Sequence, residues 1–144
     1  MLEIFFVCIL GILTWTDVKK RRIPNSLLAL ACLVRVSVFL LFEGPTGESA
    51  IRLLVDGLAL SLPMYLLAVF MDRVLKKQSL GGGDIKLLFV TGLYLGAEQN
   101  LVMLFIAGIL ALLYCILRRK KELPLGPAMA AASVVVMILE KIIQ

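Results

Sequence analysis

The sequence predicts an all-α membrane protein, a polytopic bundle of about six transmembrane helices with both termini outside. The chain has 144 residues, 61% of them hydrophobic, and a mean hydropathy of +1.02. Soluble domains are nearer 45–50% apolar. The apolar residues form long runs in place of a helical stripe, so the segments are suited to being surrounded by lipid or by one another. The basic residues gather in three short clusters at the ends of alternate runs. A single membrane domain over residues 1–144 is expected, with no room for a separate soluble one.

The first run, Leu2–Thr16, begins with Glu3 where a cleaved signal peptide has basic residues. It ends in Thr-Trp-Thr-Asp followed by four basic residues, the pattern of a stop and an anchor. It reaches spanning length only by taking in Asp17. Pro24 and Asn25 then read as a turn and a helix start, proline presetting φ and asparagine capping the second run, Ser26–Phe42. Arg35 falls near the middle of that run. An intramembrane charge pairs inside a bundle, and Asp56 or Glu3 is the expected partner.

The third run, Leu53–Met71, carries Pro63, a candidate kink. The fourth, Ile85–Ala97, has about 13 residues, or ~20 Å of helix. That is short of a ~30 Å hydrocarbon core, so it needs flanking residues or a thinned bilayer. Gly81–Gly83 is then expected as an unwound start at membrane depth, which is tolerated where it is buried in protein or lines a wet cavity. The fifth and sixth runs, Leu101–Leu117 and Leu123–Leu139, are long enough to cross. In the last, Gly126, Ala128, Ala130, Ala131, Ala132 and Ser133 keep the helix thin for close contact.

The charges set the orientation. One cluster is Lys19, Lys20, Arg21 and Arg22, after the first run. Another is Arg73, Lys76 and Lys77, after the third. The last is Arg118, Arg119, Lys120 and Lys121, after the fifth. These are all the basic residues except Arg35, Arg52, Lys86 and Lys141. The other two loops hold Glu43, Glu48 and Glu98. The positive-inside rule places the basic loops in the cytoplasm, and their agreement requires the short fourth segment to cross. Such short clusters at apolar ends are topology signals with attraction to anionic lipid, not a nucleic-acid surface. Cys8, Cys32 and Cys115 lie apart within apolar runs and the chain has no histidine. A zinc site of the Cys/His kind is excluded, and the cysteines read as small packing residues. No metal or cofactor is expected.

Two aspartates stand at the basic edges of the runs. Asp17 lies in Asp-Val-Lys-Lys-Arg-Arg-Ile-Pro-Asn, and Asp84 in Gly-Gly-Gly-Asp-Ile-Lys. A carboxylate at the margin of hydrocarbon is costly, roughly 2.5–3.5 kcal/mol at a helix centre and less near the interface. The orientation puts both acids at the cytoplasmic face, where they can reach one site. Two close carboxylates suit water activation for amide hydrolysis: one takes a proton from water while the other, protonated, donates to the substrate carbonyl. Like charges in close contact do not both ionise easily, so the pair shares a proton and titrates as a unit. Gly81, Gly82 and Gly83 allow positive φ and close backbone approach beside Asp84. Each motif also has a plainer reading. Asp84 can cap the next helix, and Asp17 can be a solvated ion pair with the bases that follow it. Lys86 can snorkel to the interface or act on one of the aspartates.

Together the motifs resemble the prepilin peptidase family of polytopic aspartic proteases, whose active site carries Gly-x-Gly-Asp. Gly81, Gly83 and Asp84 match that motif, and Ile-Lys-Leu follows, including Lys86. Asp17 with Ile23, Pro24 and Asn25 resembles the family's first motif. Pro124, Gly126 and Pro127 resemble its Pro-x-Gly-Pro motif at the start of the last helix. The resemblance implies a catalytic pair, Asp17 and Asp84, and cleavage of the basic leader of prepilin or pseudopilin precursors. The location implied is the cytoplasmic face of the cell membrane. Longer members carry paired Cys-x-x-Cys motifs linked to N-methylation. This chain starts at the first span without them, so cleavage without methylation is expected. Short members resemble those serving tight-adherence or archaeal-type pili, which makes a small Flp-like prepilin a candidate substrate. Another Gly-x-Gly-Asp intramembrane protease, of the signal-peptide-peptidase type, is the alternative within the enzymes. It lacks support from a Tyr-Asp motif and does not account for Ile-Pro-Asn. A small transporter or an inert assembly subunit is the non-enzymatic alternative.

Overall fold

The computed structural model describes residues 2–20, 25–44, 46–76, 81–118 and 125–143. Six α-helices and one π-helical turn account for almost all of them. In chain order they are α1 (Leu2–Lys20), α2 (Asn25–Val38), the π turn (Phe39–Glu43), α3 (Gly47–Leu75), α4 (Gly82–Leu95), α5 (Ala97–Arg118) and α6 (Leu125–Ile143). The all-α membrane architecture stands. Four stretches are long and apolar enough to cross a membrane: Asn25–Phe42, Gly47–Leu75, Ala97–Leu117 and Gly126–Ile143. Their large side chains point outward in number, as Leu66, Phe70, Phe105 and Leu117 do. In a chain of this hydropathy such surface faces lipid.

The chain divides into two compact units, one of Met1–Ile23 with Glu98–Gln144 and one of Pro24–Ala97. In the first, α1 packs on α6. Phe6, Ile9, Leu10 and Leu13 form the buried stripe of α1, and Ala128, Met129, Ala132, Ser133 and Val136 that of α6. The small residues expected to thin α6 are buried except Ala131, which is exposed. The start of α5 is tied to the end of α6, where Gln99 Nε2 donates to Glu140 Oε1 at 2.7 Å.

The second unit is built around α4, which packs against both α2 and α3. Leu87, Leu88, Val90, Thr91, Leu93 and Leu95 are buried. The α3 face that meets it is made of small residues: Gly57, Ser61 and Ala68. A β carbon at Gly57 would lie 2.8 Å from Phe89 Cε2 and 2.9 Å from Leu93 Cδ2, so only glycine permits this approach. The spacing Gly57-x-x-x-Ser61 is the small-residue pattern that brings membrane helices together. It is the sequence signal for this contact that the hydropathy reading passed over. Along its other side α4 runs parallel to α2. Lys86 meets Asn25 at one end, and Tyr94 Oη donates to Ala31 O at 2.9 Å near the other. α3 continues as one helix through Pro63.

The structure departs from expectation at the start of α4. Gly82 and Gly83 are already helical and only Gly81 remains outside, with φ −68° and ψ 129°. There is no unwound triplet, and Gly81 does not use positive φ. The helix closes because Asp84 N donates to Gly81 O at 3.0 Å, capturing one of the first-turn amides that a helix leaves unpaired. At its far end Gly96 alone separates α4 from α5. Its φ of 83° and ψ of 164° lie in a region open in practice only to glycine.

Substitution of these glycines should separate by mechanism. Gly57→Ala overpacks the α3–α4 contact and should cost about 1–3 kcal/mol. Gly96→Ala strains the corner by a similar ~1–3 kcal/mol. Gly108, which has open space around it, should accept alanine with no loss. Thermal unfolding in detergent, read as the shift in Tm, measures all three.

Candidate active site

Asp84 is the third residue of α4, and its position is set by the helix start. Its carboxylate leans back over the N-terminal turn, so that Oδ2 lies 3.2 Å from the point where a β carbon on Gly81 would sit. A carboxylate in the first turn meets unpaired N–H groups and the positive end of the helix dipole, an interaction of about 0.3–1 kcal/mol. The capping role considered for Asp84 belongs to Gly81. A β carbon at Gly82, by contrast, would meet nothing within 4 Å. The three glycines are therefore not equivalent. The first keeps space for the acid, and the second is free to carry a side chain, as the variable position of Gly-x-Gly-Asp requires.

Lys86, one residue beyond Ile85, donates from Nζ to Asn25 Oδ1 at 3.1 Å, on an exposed face of the second unit. Asn25 is the first residue of α2. The asparagine of one motif and the lysine of the other are thus brought together across the α2–α4 pair. Both stand at the mouth of a cavity of about 430 Å³ between α2, α3 and α4, whose walls include Cys32, Ser61, Tyr65 and Phe89. The walls are mainly apolar and the mouth is polar.

Asp17 lies near the C-terminal end of α1, in the first unit. Its side chain is outside the described residues, as are Ile23, Pro24 and Pro124. Gly126 and Pro127 fall in the first turn of α6, where a missing proline N–H leaves no helical bond unmade. Pro127 lines a groove of about 620 Å³ with Leu10, Gly11, Thr14, Trp15 and Lys19 of α1. The third motif therefore lies alongside the helix that carries Asp17.

Two charged residues singled out in the sequence close the far end of the second unit, through backbone partners that the sequence did not indicate. Arg35, in the last turn of α2, donates from Nε to Leu93 O at 2.8 Å. Asp56 Oδ1 accepts from Ala97 N at 3.3 Å. Arg35 and Asp56, candidate partners by charge alone, line one cavity, and each also secures an end of a helix. Glu3, the other candidate, has its side chain outside the described residues. Among the described residues no three His, Cys, Asp or Glu side chains come together.

The architecture and the motif geometry define a multi-pass helical membrane protein with an acid held in the first turn of a helix whose next residues, Ile85 and Lys86, line a cavity. The sequence pattern of the type IV leader peptidase family matches residues 4–116, and the chain belongs to that family. Its members are peptidases, and a leader-peptidase type of protease is the activity that membership supports. Searches of curated proteins and of solved structures found no match.

Gly81→Ala should push the Asp84 carboxylate by a few tenths of an ångström and lower peptidase turnover by about tenfold, the loss expected when a group that chemistry depends on is displaced. Gly82→Ala should leave turnover near wild type. Steady-state kinetics at equal folded yield distinguishes the two. Equal losses at both positions would mean that the space over Gly81 has no part in placing the acid.

Proposed function

We propose that the protein is an aspartic endopeptidase that removes the basic leader from prepilin or pseudopilin precursors at the cytoplasmic face of the cell membrane. The observation that carries this reading is the family match over residues 4–116, which takes in both aspartate motifs. Asp17 and Asp84 are the catalytic pair. The ionised member takes a proton from water, and the hydroxide so formed adds to the scissile carbonyl carbon. The protonated member donates to the carbonyl oxygen as the tetrahedral diol forms. The diol then collapses: one of its hydroxyls returns its proton to the second acid, the C–N bond breaks, and the proton held by the first acid passes to the departing amine, which restores the dyad. Atoms and charge balance with water as the only co-reactant.

Several features support the rest of the reading. The basic clusters after α1, α3 and α5 assign those ends to the cytoplasm by the positive-inside rule, the side at which a basic leader waits. The ends of α1 and α3 carry the exposed Lys19, Arg73 and Lys76. With bases around both motifs, recognition of a basic leader rests on the acids and the grooves and not on net attraction. The apolar segment of the precursor lies in the bilayer beside the enzyme. A small Flp-like prepilin is the substrate proposed, and the whole chain acts as one peptidase domain of a multi-pass protein of the cell membrane.

The test is cleavage of such a prepilin in liposomes by wild type, Asp17→Asn and Asp84→Asn at equal folded yield. Either substitution should lower the rate by about 10²–10⁴-fold. Cleavage that survives both would remove the dyad. Ion flux through the same liposomes without cleavage would favour a transporter.

A further inference from the structure

The mixed-charge cavity at the far end of the second unit has no part in the proposed cleavage. It has a volume of about 440 Å³ and is lined by Arg35, Phe39, Glu48, Arg52 and Asp56, with Ser49 and Leu53. Its size falls among small-molecule sites, roughly 300–1,000 Å³. It sits where α2 passes through the π turn towards α3. Those elements contain the apolar stretches Asn25–Phe42 and Gly47–Leu75, so the junction between them lies at an edge of the hydrocarbon, the level of lipid headgroups. Leu41 and Phe42, 77% and 82% exposed, stand in the same turn as Phe39.

The lining carries two guanidinium groups and two carboxylates. Part of the frame is fixed, since Arg35 Nε is held by Leu93 O and Asp56 Oδ1 by Ala97 N. Glu48 and Arg52 stand one turn apart on α3, a spacing that permits an ion pair. They are exposed, and among the described residues they do not pair with each other. A purely anionic head entering here meets two carboxylates, and a purely cationic one meets two arginines. A headgroup bearing both signs satisfies the lining: phosphate oxygens accept from the guanidinium forks, and an ammonium donates to the carboxylates.

We propose that this cavity binds the phosphate–ammonium headgroup of a zwitterionic aminophospholipid from the bilayer, with phosphate on Arg52 and Arg35 and ammonium on Glu48 and Asp56. The exposed Leu41 and Phe42 are the adjoining surface for its acyl chains. This site is independent of the peptidase reading.

Native mass spectrometry of the purified full chain in detergent tests it, with phosphatidylethanolamine, phosphatidylglycerol and soluble glycerophosphoethanolamine as probes. Phosphatidylethanolamine should be retained about fivefold better than phosphatidylglycerol. Glu48→Gln should remove that preference while leaving phosphatidylglycerol retention in place. Arg52→Gln should lower retention of both lipids, and Arg52→Lys should recover part of it. Circular dichroism confirms that each variant is folded. Equal or stronger retention of phosphatidylglycerol by wild type, or a preference unchanged by Glu48→Gln, overturns the proposal. Displacement of the lipid by soluble glycerophosphoethanolamine at equal concentration overturns the bilayer as the source.

Discussion

A 14-residue helix does not cross a ~30 Å hydrocarbon core by itself, and α4 is that short. The contact that makes it workable is the approach of α3 at Gly57, where Phe89 and Leu93 fill the space a β carbon would take. With α3 against one side and α2 against another, α4 is surrounded by protein for most of its length. A short helix is tolerable there because its ends are not left bare in lipid. An unpaired backbone group in hydrocarbon costs several kcal/mol, and side chains meet that demand. Arg35 takes the carbonyl of Leu93, and Asp56 takes the amide that opens α5.

The same arrangement determines what Asp84 can do. An acid in the third position of a helix has its direction set by the turn beneath it. That turn belongs to the most enclosed helix of its unit. The aspartate is therefore mounted on a rigid element, while the face carrying Asn25 and Lys86 remains exposed. Stiffness below and an exposed face above both follow from burying one short apolar helix between two longer ones.

Much of this was legible in the sequence, for physical reasons that can be named. Run length and composition report the solvent a segment faces, so the all-α membrane class follows from Leu-, Val- and Ile-rich stretches alone. Asp17 and Asp84 stand out because a carboxylate is expensive beside hydrocarbon. Local glycine content misled at one point: three glycines in a row suggest open chain, yet Gly82 and Gly83 are helical because the Asp84 amide closes on Gly81. Contacts between runs were not legible. Arg35 counts as mid-run along its own segment, but it lies in the last turn of α2 and its guanidinium reaches the end of α4. Lys86 could be read as snorkelling or as acting on an aspartate, and its partner Asn25 comes from another motif. Such pairings depend on how helices are turned toward one another, which hydropathy does not encode.

The open space at Gly82 has a practical side. A residue there stands two positions from Asp84 without pressing on it, at the exposed start of a well-packed helix. It is a natural attachment point for a spectroscopic label, a fluorophore or a spin probe introduced through an added thiol. Cys32 and Cys115 are partly covered and Cys8 lies on α1. Once Cys8 is replaced, a probe at position 82 would report on the neighbourhood of the acid and leave the groups that define it in place.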